Sequence, residues 1–407
     1  MPRRVIASMS ELISVAEADA LIARHMPAFG SERVTLAEAS GRVLRQCVHA
    51  ERDQPPFDRV MMDGIALRWR QPLPRSLDVA GVQLAGMAAQ PLAGGDHCLE
   101  VTTGAMLPDG CDCVIPVEQT RRDGNRCVLA EGCSPVRGQF IHPHGSDCTA
   151  GALLLDVGMR LDAPAMAVLA ANGIAEVEVA MVPSIAVIAT GDELVDVAAP
   201  LGVGQIRRSN DHALAAALHS RGFHRVALSQ VADDLAATTG MLAALLSTHQ
   251  VLLLSGGVSM GQRDHVPAAL DALGVRRVFH RIAQRPGKPM WFGIGPRGQA
   301  VFALPGNPVS ALVCGIRYVV PALLASMGTL PAPVEQVCLD AAIDAHPGLT
   351  CFVPARVQSD LSARAMAHPV PTRTSGDFSS LPRTHGFVQL PPGRAAAAGD
   401  VLSFHRW

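Results

Sequence analysis

The sequence predicts a multidomain α/β protein, and three observations carry that expectation. After Pro183, apolar strand-like runs alternate with helix-like runs, the pattern of a sheet covered on both faces. Between about residues 64 and 140 the text is instead short β-like runs broken by Gly, Pro and Asp. Beyond Gly328 strands return without long helices. A chain of 407 residues is long enough for several such domains, each with a core of its own.

Taken in order, Ser14-Val-Ala-Glu17 is a capping-box pattern leading into "AEADALIARHM", so an amphipathic helix is expected first. The stretch "SERVTLAEASGRVLRQCVHA" predicts a short strand, a helix ending near Gly41 and a further strand. "QPPFDRVMMDGIAL" reads as a loop, because Pro55 and Pro56 exclude helix. "LDVAGVQL", "HCLEVTTGAMLPDGCDCVIPVEQT" and "NRCVLAEGC" then form a small all-β module inserted into another domain. "GALLLDVGMRLDAPAMAVLAANGIAEVEV" supplies a strand, a helix opened by Asp162-Ala-Pro164 and closed by Asn172-Gly173, and another strand. Next come strand "SIAVIAT", helix "NDHALAAALHSRGF", strand "HRVALSQV", helix "DLAATTGMLAALLSTH", strand "QVLLLSGG" and helix "VPAALDALG", the order of a parallel three-layer domain. The expected boundaries are 8–52 with 141–180 for an elongated helix and strand domain, 53–140 for the inserted β domain, 181–328 for the three-layer domain and 329–407 for a C-terminal β domain.

Composition narrows the function classes. A formal charge of -2 gives no electrostatic footprint for nucleic acid or an anionic membrane, so neither is expected as a partner. The longest greasy region, Ser310 to Met327, contains Arg317 and Pro321 and reads as a buried helix rather than a span. Arg3 and Arg4 precede Glu11, Glu17 and Asp19 without an intervening apolar run, so no export signal is read and a cytoplasmic location is expected. The ten cysteines include Cys111-x-Cys113 but no matched pair of Cys-x2-Cys knuckles, which favours structural thiols over zinc. The histidines are scattered, with no His-x3-His on a helix.

Ligands of open α/β sheets sit beyond the carboxyl ends of the strands, and three such ends are chemically loaded here. They are Thr190-Gly191-Asp192-Glu193, Ser255-Gly256-Gly257-Val258-Ser259 and Pro305-Gly306-Asn307-Pro308. Consecutive small residues leave backbone N–H groups uncovered for a phosphate or another oxyanion. Neither glycine stretch matches the Walker A or dinucleotide patterns, which argues against a kinase or a nicotinamide enzyme. Asp58, Asp63, Asp147, Glu193, Asp233 and Asp264 lie in turn-like sequence; gathered at a phosphate site they would suit Mg²⁺, which takes a few carboxylates plus water and phosphate oxygens. Arg281, Arg285 and Lys288 surround a Pro-Gly turn in "RIAQRPGKPMWF" and suit a multiply charged anion.

Together these motifs resemble one family, the molybdopterin molybdenumtransferases, which include MoeA and the E domain of gephyrin. The resemblance rests on "PPFDRVMMDGIA", "TTGAMLPDG", "HGSDCTAG", "TGDEL", "GQIRRSN", "LLLSGGVSMGQRD", "RPGKP", "LPGNPVSA" and "RTSGDFSSL", in family order over nearly the whole chain. It implies an elongated domain, an inserted β domain, an α/β domain like that of molybdopterin adenylyltransferases, and a C-terminal β domain. It also implies a homodimer whose active sites form between subunits, with molybdopterin adenylyltransferase and molybdoenzyme maturation factors as expected partners. The implied reaction converts adenylylated molybdopterin and molybdate into molybdenum cofactor and AMP, assisted by Mg²⁺.

Carried over residue by residue, the resemblance assigns functional acids to Asp58, Asp147, Glu193, Asp233 and Asp264, a functional hydroxyl to Thr103 and a retained lysine to Lys288. Glu193 and Asp264 are expected to handle the metal. Ser255, Gly256, Gly257 and Ser259 would cradle phosphate, Pro305, Gly306 and Asn307 shape the adjoining wall, and Ser375 touch the ligand. The chain departs from the family pattern at Arg59-Val60, at Arg207 and Arg208, at Arg281 and Arg285 in place of lysines, and at His142-Pro-His144. The added arginines motivate a second reading, a divergent paralogue handling another oxyanion or cofactor branch; a third, in the manner of the receptor-clustering role of the gephyrin E domain, is a pterin-binding scaffold without turnover.

Overall fold

The structure is a computed structural model describing residues 12–258 and 264–407; Ser259 and the N-terminal Arg3, Arg4 and Glu11 lie outside the described residues. The chain divides into two compact units. The larger comprises residues 12–45, Val157–Asp162 and Glu176–Trp407, and the smaller Gln46–Asp156 and Ala163–Ala175.

The larger unit opens with the helix Val15–His25, whose capping box forms as its sequence dictates. Ser14 Oγ accepts from the Glu17 N–H at 3.2 Å while the Glu17 carboxylate accepts from the Ser14 N–H at 2.7 Å. Its buried stripe is Val15, Ala18 and Ile22. The strand Ser31–Thr35 pairs antiparallel with Glu176–Ala180. The helix expected to end near Gly41 is only a single 3-10 turn, Leu36–Glu38. Gly41, at φ 76°, turns the chain so that Val43 bridges Arg160 and Leu44 bridges Val179. One turn gains too few hydrogen bonds to propagate, and burying Val43 and Leu44 beside the strands wins.

The six-stranded α/β sheet runs, in spatial order, Val226–Val231, Ile185–Thr190, Val251–Ser255, Ala300–Leu304, Trp291–Ile294 and Arg276–His280. Its three inner strands at the parallel end are buried on both faces, because successive side chains feed different cores. Val187, Leu253 and Phe302 pack with Leu214, Leu218 and Val313 on one side. Ile188, Leu254 and Val301 pack with Leu242, Leu246 and Leu270 on the other. The first four strands are parallel, whereas Trp291–Ile294 runs antiparallel to both of its neighbours, Ala300–Leu304 and Arg276–His280. The sheet is therefore mixed rather than parallel throughout: residues 281–290 are too few for a crossover, which takes about a dozen.

Pro308–Ser326 is the one described helix long and apolar enough to cross a membrane by length and composition, and 67% of it is buried inside the fold. The C-terminal strands form a sheet closed on itself, since Thr350–Ser359 pairs with both Ala365–Pro369 and Gly386–Leu390, and the ring continues through Glu335–Leu339 and Val401–Arg406. A short strand, Gln284–Arg285, leaves the α/β part and adds to this barrel alongside Thr350–Cys351. That pairing fixes where Arg285 and the following Pro-Gly-Lys turn stand.

The smaller unit is built on a six-stranded sheet ordered Cys113–Pro116, Gly64–Leu67, His97–Val101, Ser76–Gln83, Arg126–Leu129 and Thr120–Asp123. The stretch expected to be a plain loop contains two of the unit's strands, Gly64–Leu67 and the two-residue Arg59–Val60, which pairs with Ile141–His142. All ten cysteines of the chain are free thiols. Burial pushes the thiols of Cys98, Cys111 and Cys113 up to about 12, so they pack as small apolar side chains.

Candidate functional site

The loaded ends of the α/β strands converge. Thr190 closes the strand Ile185–Thr190, and Ser255 closes its neighbour Val251–Ser255. Immediately beyond, Gly256 and Gly257 take φ of 103° and 65°. A Cβ on Gly256 would lie 2.6 Å from Thr190 Oγ1 and 2.7 Å from Thr190 O, and one on Gly257 would lie 2.8 Å from Val266 Cγ2. Glycine is thus required for both conformation and space, and the turn offers bare backbone. Asn210, at the start of the helix Asn210–His219, staples the neighbouring loops: its Nδ2 donates to Ser255 Oγ at 2.8 Å and to Gly306 O at 2.7 Å. Asn307 Nδ2 donates to Ser375 Oγ at 2.8 Å, tying the third loop to the C-terminal segment.

These loops enclose a cavity of about 610 Å³ lined by Ser255, Gly256, Gly257, Pro305, Gly306 and Asn307 together with Glu193, Asp233 and Asp264. Asp233 is held by its own N–H donating to Asp192 Oδ1 at 2.9 Å. A second cavity of about 460 Å³ shares Pro289, Pro305 and Asn307 with the first and is lined by Arg285, Lys288, Ser310 and Ser375. Arg281 lines neither; its backbone, at φ 76°, donates to Met290 O at 2.8 Å and shapes the turn.

Asp58, Thr103 and Asp147 belong to the smaller unit, on three adjoining loops. Arg59 pairs with His142 and bridges Met106, Gly104 N–H donates to Val60 O at 2.9 Å, and Asp147 N–H donates to Gln54 O at 2.8 Å. Asp58 Oδ1 accepts from the His144 N–H at 2.8 Å. Asp147 Oδ1 lies 2.7 Å from His142 Nε2, whose Nδ1 is 2.9 Å from Arg59 Nη2. A guanidinium only donates, so Nδ1 accepts and the proton sits on Nε2, directed at Asp147. Thr103 donates to Asp63 Oδ1 from its N–H at 2.6 Å and its hydroxyl at 2.8 Å. The backbone bond first, and then the hydroxyl, holds Asp63 below the usual carboxylate range.

Three family models match the chain in order: "MoeA N-terminal region (domain I and II)" over residues 13–173, "Probable molybdopterin binding domain" over 186–325, and "MoeA C-terminal region (domain IV)" over 336–407. The molybdopterin molybdenumtransferase of Synechocystis sp. (strain ATCC 27184 / PCC 6803 / Kazusa) is 38% identical over 401 residues, covering 97% of this chain and 100% of that protein. The chain belongs to the molybdopterin molybdenumtransferase family. A molybdopterin molybdenumtransferase of Staphylococcus aureus (strain MRSA252) is 29% identical over 407 residues, covering 96% of this chain and 94% of that protein. Among solved structures, the molybdopterin biosynthesis MoeA protein of Pyrococcus horikoshii OT3 superposes with a TM-score of 0.81 at 26% identity, over 98% of this chain and 100% of that one.

Within this molybdenumtransferase fold, the cavity is also lined by Asn210 and Asp211, to which the sequence assigns no role, and by Thr190, named there only as part of a loaded strand end. Thr190 is buried, and its hydroxyl has no hydrogen-bond partner among the described residues. Only its place at the polar end of an apolar strand hinted at a role. No group of three or more metal-binding side chains gathers among the described residues. The donors that share the first cavity are hard carboxylates, which fit Mg²⁺ bound through one or two acids and substrate phosphate better than a closed protein cage.

Proposed function

We propose that this chain completes molybdenum cofactor synthesis, taking adenylylated molybdopterin and molybdate as substrates and releasing molybdenum cofactor and AMP. The observation that carries the reading is the meeting of the Gly256–Gly257 turn with Glu193, Asp233 and Asp264 in one cavity. Bare N–H groups there seat a phosphate while acids stand on the same wall.

The chemistry is hydrolysis of a phosphoanhydride. Water adds to one phosphorus, the bridging oxygen leaves on the other, and a carboxylate of the cavity takes up the released proton. Glu193 and Asp264 are the residues that would hold Mg²⁺, which supplies charge neutralisation at the phosphates. Lys288, Arg285, Asn307 and Ser375 place cationic and hydrogen-bonding groups beside the adjoining cavity, suited to an oxyanion such as molybdate. In this reading a second copy of the chain brings Asp58, Thr103 and Asp147 to the reaction, and the enzyme works as a cytoplasmic homodimer.

AMP release from adenylylated molybdopterin, with Mg²⁺ and molybdate supplied, tests the proposal. Glu193→Gln and Asp264→Asn should each lower the rate by about 10²–10³-fold while pterin affinity, read by fluorescence titration, stays near that of the parent. Equal loss of binding and turnover would mean that these acids only shape the fold. Absence of AMP release from the parent protein would end the transferase reading.

A further inference from the structure

The cavity at the strand ends holds an ion pair that the reaction's acids do not explain. Four carboxylates, Glu193, Asp211, Asp233 and Asp264, line it against two described arginines, Arg207 and Arg208. A substrate phosphate adds further negative charge, so the wall needs a cation that faces it. Arg207 is already committed: its Nε donates to Val197 O at 2.7 Å and its Nη2 to Ala199 O at 3.2 Å, which pins the loop that follows Glu193.

Arg208 is built differently. Its backbone N–H donates to Val195 O at 3.0 Å, which fixes the start of the side chain at the cavity wall. Its Nε lies 3.4 Å from the Asp211 carboxylate, and Asp211 is fully buried in the first turn of the helix Asn210–His219. Yet the Arg208 Nε and both Asp211 oxygens have no hydrogen-bond partner among the described residues. A buried pair without supporting hydrogen bonds gains little stability for its desolvation cost, so packing alone does not account for it. Asp211 balances the guanidinium charge, and the planar fork of an arginine matches two phosphate oxygens.

We infer that Arg208 is the phosphate-binding side chain of this cavity and that Asp211 is the residue that positions it. The inference rests on the adenylate reading of the site and adds a residue and a role to it.

The test uses the full chain and two probes, AMP and inorganic pyrophosphate, titrated calorimetrically, with a thermal melt of each variant. Arg208→Gln should weaken both probes by about tenfold or more, and Arg208→Lys should recover part of that loss. The exchanged double variant, Arg208→Asp with Asp211→Arg, keeps the pair while moving the cation. It should bind no better than Arg208→Gln. Unchanged affinity in Arg208→Gln overturns the inference, as does an exchanged variant that binds like the parent. Loss of folding in both variants assigns the pair to the fold and overturns it as well. A parent protein that binds AMP through Arg208 yet releases none from adenylylated molybdopterin would sink the transferase reading and leave this one standing.

Discussion

The acids of the larger unit and those of the smaller unit are anchored in contrasting ways. Glu193, Asp233 and Asp264 rim a cavity whose floor is buried: Thr190 is 6% exposed, Ser255 3% and Asp211 0%. At Gly256 and Gly257 the backbone beside that floor admits only glycine. Asp58, Thr103 and Asp147 instead sit on exposed loops: Asp58 accepts from the His144 backbone N–H, Thr103 donates to Asp63 from its N–H and its hydroxyl, and Asp147 meets His142 Nε2. The floor of the cavity resists displacement because the strands ending in Thr190 and Ser255 are packed between two cores, although Glu193 itself is exposed on a turn. The second arrangement adjusts cheaply, as loops of low local stability do. Under the proposed function, a fixed phosphate seat and more adjustable acids would serve different parts of the substrate.

This contrast predicts a graded series of effects. Gly256→Ala should be the most damaging, because a Cβ there meets Thr190 O at 2.7 Å in a left-handed conformation. A cost of about 3 kcal/mol is expected in a urea unfolding titration, from strain and overpacking together. A loss below about 1 kcal/mol would show that the turn yields, and would remove the claim of a rigid seat. His142→Ala comes next. It deletes the donor to Asp147 and should lower the rate of AMP release by about tenfold with stability unchanged within about 0.5 kcal/mol. His142→Gln, which can still offer an N–H, should restore much of the rate. A fall in melting temperature matching the fall in rate would make His142 a structural residue only.

Thr103→Val should have the smallest effect. It removes the hydroxyl that helps keep Asp63 below the usual carboxylate range, so the Asp63 titration midpoint followed by NMR should move up toward the ordinary value. Because the folded value is the depressed one, this contact contributes stability above the unfolded carboxylate value. That contribution is lost as pH falls through the lower folded value. A midpoint that does not move would place the whole effect on the Thr103 backbone N–H.

Much of this architecture was legible in the sequence, and the parts that were not have physical reasons. The strand and helix alternation after Pro183 could be read because continuous apolar strands and amphipathic helices leave different periods. The Ser14 capping box is local and formed as written. Gly256 and Gly257 announced themselves because only glycine tolerates their backbone. The turn at Leu36–Glu38 was read too long, since "LAEAS" is helix-forming text and the pull of Val43 and Leu44 into the strands is a tertiary effect. The strand Arg59–Val60 has too few residues to carry a period, and the prolines before it masked it. Asn210 joins Ser255 to Gly306 across long stretches of chain, and Asp211 meets Arg208 only once a helix begins there, so no spacing rule could mark either.

Subunit complementation tests most directly whether two acid sets so differently anchored serve one reaction. Glu193→Gln and Asp147→Asn proteins, each inactive alone, would be mixed, dissociated and allowed to reassociate before AMP release is measured. If a second copy supplies Asp147 to the cavity that holds Glu193, half of the random dimers carry one intact site in two, and roughly a quarter of the parent activity returns. A mixture that stays as inactive as either variant alone would contradict the account.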